Sequence, residues 1–132
     1  MTALVDTSIL IDYLRGHHAA SALLEDERAA GVLHASEITR LEILAGMRTA
    51  EQAQTRSLLS TLRWHSVDEA VAEKAGELGR AWLPSHGGID GHGGIDGADL
   101  AIAATALLLD ARLLTTNVRH FPMFSDLRSP YS

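Results

Sequence analysis

Three acidic residues occupy positions at which a carboxylate can do chemistry. Asp6 ends a short apolar run in LVDTSILIDYL, Glu42 lies within SEITRLEILAG, and Asp99 opens DLAIAATALLL. Glu42 and Asp99 fall on helix faces that are otherwise apolar, where a charged group is costly unless it is paired or bound to a cation. Carboxylates that converge repel one another, and an all-oxygen set suits Mg²⁺ or Mn²⁺. The three acids therefore predict a metal centre of the kind that activates water for phosphodiester hydrolysis.

Each acid also has an ordinary structural interpretation. Asp6 suits an N-cap, and Asp99 is favoured in the first turn of a helix by the helix dipole. Thr39 and Glu42 have the spacing of a capping box. That box requires a helix that begins at Thr39, and a helix that begins at Ser36 fits the sequence at least as well. Together, three acids at the openings of successive strand–helix units, two of them on otherwise apolar helix faces, favour the metal centre.

A fourth position of the predicted site carries no carboxylate. The segment LLTTNVRHF follows a predicted strand and contains Asn117 and His120. An asparagine side chain can orient a water molecule or a phosphate, but it adds no charge. This corner is therefore the least acidic part of the predicted site.

Apolar runs that end in turns alternate with segments of helical periodicity along the chain. This alternation predicts an α/β fold with a mostly parallel sheet, in which ligands bind beyond the carboxyl ends of the strands. The predicted strands are 2–5, 32–35, 64–67 and 112–115, with a last edge strand at 126–129. The predicted helices are 8–15, 19–30, 36–46, 49–62, 68–83 and 98–109, with a short helix at 118–124.

Composition limits the class of protein. The chain has 132 residues, which suits one domain spanning 1–132. It has no cysteine, which excludes disulfides and thiolate metal sites. The sequence shows neither an apolar run long enough to span a membrane nor a basic leader, so we expect a cytoplasmic protein. A net charge of −6 argues against a general nucleic-acid coat, although it permits an enzyme with an acidic centre and local arginines.

Residues 86–97 read HGGIDGHGGIDG, the same six letters twice. Histidine, aspartate and glycine are typical of a metal loop, but a tandem duplication in a surface loop explains the repeat more simply, because a longer loop costs little entropy. We expect Asp90 and His92 to be displaced outward and dispensable. Asp96 lies three residues before Asp99, where it is expected to cap the helix.

The three phrases LVDTSILIDYL, TRLEILAG and ADLAIAATALLLDARLLTTNVRHF resemble the PIN domain, and within it the VapC toxins of bacterial VapBC toxin–antitoxin pairs. The resemblance covers essentially the whole chain. It implies a three-layer α/β/α sandwich and a Mg²⁺- or Mn²⁺-dependent ribonuclease. VapC toxins usually dimerise, and a small antitoxin neutralises them by placing residues in the active-site groove. We therefore expect an RNA substrate, a VapB-like antitoxin and a homodimer.

The resemblance also assigns roles to individual positions. The catalytic acids of the family fall on Asp6, Glu42 and Asp99, which are expected to hold the metal, and the fourth motif falls on Asn117. His120 stands where a further acid is often found, which leaves the number of bound metals open. Residues expected to support the ligands are Thr7, Asp96 and Thr115. Three arginines near these motifs are either contacts for the RNA backbone or ordinary solvated arginines: Arg15, Arg40 and Arg119.

Other classes remain to be distinguished. A PIN-like domain with a weakened fourth corner could serve only to bind RNA or protein. A phosphoacceptor receiver domain needs a lysine after a late strand, and Lys74 lies inside a predicted helix. A Rossmann cofactor domain needs its glycines directly after a strand, and the glycines of 86–97 do not follow one.

Overall fold

The central sheet has four strands, all parallel, in the order β3-β2-β1-β4. The structure, a computed structural model, describes residues 2–85 and 94–132. The strands are β1 (Ala3–Val5), β2 (Leu33–Ser36), β3 (Arg63–His65) and β4 (Arg112–Leu114). Because the chain moves from β1 to β2 and β3 on one side and then places β4 on the other, the strand order reverses between β1 and β4. A crevice at such a point is where open α/β sheets bind ligands.

Helices cover both faces of the sheet. They are α1 (Thr7–Leu14), α2 (His18–Ala30), α3 (Glu37–Gly46), α4 (Gln52–Leu59), α5 (Glu69–Trp82) and α6 (Gly97–Leu108), with short 3-10 helices at Thr49–Glu51, Leu83–Ser85 and Val118–His120. Side chains alternate across a strand, so Leu4 packs with the α5 and α6 cluster, while Ala3 and Val5 pack with residues of α1 to α4. This is the three-layer α/β/α sandwich that the sequence predicts.

Three predicted elements differ from the structure. The predicted edge strand at 126–129 is wrong, because Asp126 lies in a turn closed by the bond from the Leu127 amide to the Phe124 carbonyl, and 127–129 have no regular structure. The predicted helix at 49–62 is shorter: it opens as a 3-10 turn and ends at Leu59, and the Thr61 hydroxyl then donates to the Leu58 carbonyl. The predicted short helix at 118–124 is a 3-10 helix that ends at His120. The remaining boundaries agree with the sequence to within about two residues.

Within residues 2–85 and 94–132, no helix is both long enough and apolar enough to cross a membrane. The expectations for Asp90 and His92 lie outside the described residues. Asp96 is described, and it stands at the N-cap of α6.

Candidate active site

Asp6 directly follows β1 and stands at the N-cap position of α1, but its side chain makes no capping hydrogen bond. Instead, its Oδ2 atom accepts hydrogen bonds from the hydroxyls of Thr115, at 2.6 Å, and Ser8, at 2.9 Å. The residue is 3% exposed. A buried carboxylate that is held by two hydroxyls and does no capping is available for another task.

Glu42 lies on α3, which begins at Ser36 rather than at Thr39. The Ser36 Oγ atom accepts the Ile38 amide at 3.2 Å, so the capping-box interpretation of Glu42 is wrong. The expectation that Glu42 lies on an otherwise apolar, buried helix face is also wrong, since its neighbour Leu41 is 59% exposed. The buried residues of α3 are Thr39 and Ile43, and Glu42 lies half-buried beside them.

A hydroxyl also holds Glu42. Thr7 Oγ1 lies 2.7 Å from Glu42 Oε1 and 3.0 Å from Thr39 Oγ1. A hydroxyl has one hydrogen to donate, and hydrogen bonds to a charged acceptor are the shorter and stronger ones. Thr7 therefore donates to Glu42 and accepts from Thr39. This arrangement connects the first turn of α1 to α3.

Asp99 and Asp96 form a reciprocal capping box at the start of α6. Asp96 Oδ1 accepts the Asp99 amide at 2.8 Å, and Asp99 Oδ2 accepts the Asp96 amide at 3.1 Å. The Nδ1 atom of His120 lies 3.2 Å from the same Oδ2 atom. Asp96 thus caps the helix as expected, and Asp99, 9% exposed, is held from two sides.

The three acids share one pattern of contacts. In each carboxylate, protein donors bond one oxygen atom. The other oxygen accepts no hydrogen bond from the described residues, and these free oxygens are Asp6 Oδ1, Glu42 Oε2 and Asp99 Oδ1. No buried side-chain oxygen or nitrogen in the described part of the chain lacks a partner. The free oxygens are therefore open to solvent. Three oriented carboxylates with one open oxygen each are suited to a shared cation.

Burial and mutual repulsion also act on these groups. Burial raises the pKa of Asp99 to about 7, and the negative charges of Asp96 and Asp6 contribute to this rise. Burial likewise raises the pKa of Glu42, together with the charges of Asp6 and Asp96, while the Thr7 hydrogen bond opposes the rise. The charge of Asp6 therefore acts on both Glu42 and Asp99, and a cation among these groups would favour their charged forms.

The chemistry of the donors fits Mg²⁺ or Mn²⁺ rather than a softer metal. In the described ranges, no group of three or more acidic or histidine side chains is placed so that it could hold a metal ion. Mg²⁺ usually keeps several waters and binds one or two carboxylates directly. The open oxygens of Asp6, Glu42 and Asp99 match that mode of binding, in which water completes the shell.

The fourth corner of the site follows β4. Thr115 Oγ1 donates to Asp6 and accepts the Asn117 amide at 2.9 Å, and the Thr116 amide donates to Ser8 Oγ at 3.2 Å. The Asn117 side chain is exposed and makes no hydrogen bond with the described residues. The backbone at Asn117 thus helps to hold Thr115.

The three arginines proposed to contact RNA differ in their surroundings. Arg40 Nε donates to Glu37 Oε1 at 2.5 Å, and Arg40 Cζ lies over the Trp64 ring, 4.1 Å from its centre. Arg15 and Arg119 are exposed, and neither forms an ion pair within residues 2–85 and 94–132. Arg15 also lines a cavity that includes Glu42. Arg15 and Arg119 are therefore freer than Arg40 to bind an anion.

Sequence reasoning missed three contacts of the site. Thr39 was expected only as part of a capping box, and neither the bond from Ser8 to Asp6 nor the approach of His120 to Asp99 was expected. A buried threonine three residues before Glu42 on a helix was the available signal for Thr39. The other two contacts depend on how β1, α6 and the segment after β4 meet in space.

The family model of the PIN domain matches residues 3–125, so the chain belongs to the PIN domain family. Over 129 residues it is 47% identical to Ribonuclease VapC19 of Mycobacterium tuberculosis, a match that covers 97% of this chain and 98% of the relative. A toxin–antitoxin complex from Klebsiella pneumoniae contains a chain that is 28% identical, with a TM-score of 0.79 and 98% of both chains covered. VapBC2 from Rickettsia felis, solved bound to a promoter DNA fragment, is 25% identical, with a TM-score of 0.78 and 96% of both chains covered.

Proposed function

We propose that this protein is an endoribonuclease toxin of the VapC type, which hydrolyses RNA phosphodiester bonds and is neutralised by a VapB-like antitoxin. One observation carries the proposal. Asp6 stands at the N-cap position of α1, Asp99 lies in the first turn of α6 and Glu42 lies within α3, each with one oxygen held by the protein and one open to solvent. The chain that presents them is 47% identical to Ribonuclease VapC19.

Asp6, Glu42 and Asp99 would hold Mg²⁺ or Mn²⁺, directly or through water. When bound, the ion would lower the pKa of a water molecule and polarise a phosphoryl oxygen. The chain supplies the orientation: Ser8 and Thr115 hold Asp6, and Thr7 holds Glu42. Asn117 would orient a water molecule at the fourth corner. Because the attacking group is water, the expected products carry a 5′-phosphate and a 3′-hydroxyl.

RNA would be held by local cations rather than by overall charge, since the net charge is −6. Arg15 and Arg119 are the arginines best placed to contact phosphates, and Arg40 is the weaker candidate because Glu37 and Trp64 already engage it. Such a toxin would act in the cytoplasm, as a homodimer, and would be released when its antitoxin is lost. The solved complexes from Klebsiella pneumoniae and Rickettsia felis support the antitoxin as a partner.

Incubation of the purified protein with structured RNA, with and without Mg²⁺ or Mn²⁺, tests this function. We expect cleavage that needs the metal and that Asp6→Asn abolishes, while the exposed control Asp26→Asn cleaves normally. Mapping of the 5′ ends of the products would locate the cuts. In cells, expression should arrest growth and produce discrete cuts, and the neighbouring antitoxin gene should relieve both effects.

The second candidate function is a PIN-like module that binds RNA or protein without cutting. The absence of a fourth acid, with Asn117 and His120 in that corner, favours it. Absence of cleavage for every RNA tested, together with absence of Mn²⁺ uptake in calorimetry, would support this module and contradict the ribonuclease.

A further inference from the structure

A partly enclosed cavity of about 320 Å³ lies between α1, α3 and the start of α4, and we call it the α1–α3 cavity. Glu42 forms part of its wall, so the cavity adjoins the acidic site directly. Apolar side chains, including Ile11, Leu14 and Ile43, line it from α1 and α3. Its volume is at the lower end of pockets that bind small molecules, which run from about 300 to 1,000 Å³.

Thr55 lines this cavity and is 2% exposed, yet its hydroxyl bonds no described residue. By contrast, the hydroxyl of Thr105, a threonine that is buried to the same extent, donates to the Ala101 carbonyl at 2.7 Å. Since no buried side-chain oxygen in the described ranges lacks a partner, the small exposed part of Thr55 includes its hydroxyl. A buried threonine whose open hydroxyl faces a cavity is suited to bind a polar group inside it.

Two arginines, Arg15 from the end of α1 and Arg48 from the turn after α3, also line the cavity. Both are exposed, and neither forms an ion pair within residues 2–85 and 94–132. The Arg48 backbone is fixed, since its amide donates to Glu51 Oε1 at 2.9 Å. Glu42 and Glu51 also line the cavity, and Glu51 Oε1 is occupied by the Arg48 amide. The two guanidinium groups remain available to bind an anionic group such as a phosphate.

We propose that the α1–α3 cavity holds one unpaired nucleotide of the RNA, next to the bond that is cleaved; this rests on the function proposed above. The base would lie against the apolar walls with a polar edge at Thr55, and Arg15 and Arg48 would bind a flanking phosphate. Proteins that read single-stranded RNA hold bases in this way, by contact with their faces and hydrogen bonds to their edges. A protein segment is the other occupant to consider, and the two arginines and the adjacent acidic site favour RNA.

Gly46, at the end of α3, offers a way to fill the cavity without disturbing the fold. It lines the cavity, and a Cβ atom added there meets nothing within 4 Å. Gly76 on α5 has the same free space and lies outside the cavity. Gly46→Trp therefore blocks the cavity, and Gly76→Trp is its matched control.

Binding is measured by fluorescence anisotropy with a short labelled RNA of randomised sequence, in the Asp6→Asn background so that the RNA stays intact. We expect Gly46→Trp to raise Kd about fivefold or more, the value of a lost base contact, while Gly76→Trp leaves Kd unchanged. Absence of RNA binding, or equal binding by the two tryptophan variants, overturns the proposal. Equal binding would instead favour a protein segment as the occupant of the cavity.

Cleavage gives a second readout, and it separates this proposal from the proposed function. With Asp6 intact, sequencing of the cut ends should show a base preference at one position beside the cut, and Thr55→Val should weaken it. An abasic nucleotide at that position should slow the wild type but cause no further loss in Gly46→Trp. If the wild type cuts RNA and these changes have no effect, the nucleotide pocket is wrong while the ribonuclease stands.

Discussion

Thr115 donates its hydroxyl hydrogen to Oδ2 of Asp6 over 2.6 Å, and this contact joins the ends of two neighbouring strands. Asp6 directly follows β1 and Thr115 directly follows β4, at the point where the strand order reverses. The pairing of Val5 with Leu114 brings the two residues together. The orientation of the carboxylate is therefore set by the sheet itself.

Removal of this hydroxyl should weaken the site without unfolding the protein. Thr115→Val keeps the shape of the side chain but leaves Asp6 Oδ2 with Ser8 as its side-chain donor. Loss of a residue that orients a metal ligand typically costs about 10- to 100-fold in affinity or activity. We expect a decrease of that size in Mn²⁺ affinity, measured by calorimetry, and in kcat/KM for RNA cleavage.

Thr105→Val provides the control. Thr105 is buried like Thr115, but its hydroxyl bonds the Ala101 carbonyl within α6, away from the acidic residues. It should change Tm slightly and leave Mn²⁺ affinity unchanged. If both variants lose metal affinity equally, Thr115 acts on general stability and not on Asp6.

The sequence predicted the layers of the fold because the apolar pattern decides them. Continuous apolar runs in β1 and β4 and the nearly all-apolar α6 can be buried only inside a sandwich. The segment after Phe124 was mispredicted because a short stretch with one partly buried leucine has no periodicity to read. Leu127 packs against the core from a turn as well as it would from a strand.

The site could be predicted in part. The acids stood out because Asp6 follows a strand, Asp99 lies in the first turn of a helix and Glu42 interrupts apolar helical spacing, all of which are properties of the local sequence. Their hydroxyl partners come from elsewhere in the chain: Thr7 and Glu42 are 35 residues apart, and Asp6 and Thr115 are 109 apart. Contacts at such separation depend on strand order and helix packing, which one sequence does not specify.

Asp96 should stabilise the fold as a helix cap, and its charge should not be needed for cleavage. Asp96→Ala removes the acceptor for the Asp99 amide, so we expect a loss of about 1 kcal/mol in the free energy of unfolding. Asp96→Asn keeps a good capping residue and should cost much less. Urea denaturation of both variants tests this, and a loss of metal-dependent cleavage in Asp96→Asn would instead show that its charge takes part in the site.

The histidine pair between β2 and β3 should make stability depend on pH. His34 Nδ1 lies 2.7 Å from His65 Nε2. Burial lowers the pKa of both residues below the ordinary 6.5, with Arg63 contributing to both and His65 also lowering that of His34. The unfolded chain therefore binds more protons than the folded one as pH falls through this range, and stability is lost.

Asp99 has the opposite effect on the pH dependence of stability. Its pKa is raised in the folded state, so as pH falls the folded state binds a proton before the unfolded state does. The effect of the pair is therefore isolated by comparing the wild type with His34→Gln/His65→Gln. We expect the decrease in Tm between pH 7.5 and pH 5.5 to be smaller in the double variant. A decrease of the same size in both proteins would show that the pair stays neutral in the unfolded chain or is protonated in the folded one.

One copy of HGGIDG should be sufficient for the protein. Deletion of residues 86–91 and deletion of 92–97 give the same sequence, in which the surviving copy precedes Ala98. Because halving a loop changes its closure free energy by only about 0.6 kcal/mol, we expect folding and metal-dependent cleavage to persist, measured by circular dichroism and RNA cleavage. Deletion of both copies is the contrasting variant, since it removes Ile95, which is 1% exposed, and the Asp96 cap. If the single deletion is as damaging as the double one, the repeat itself is part of the site.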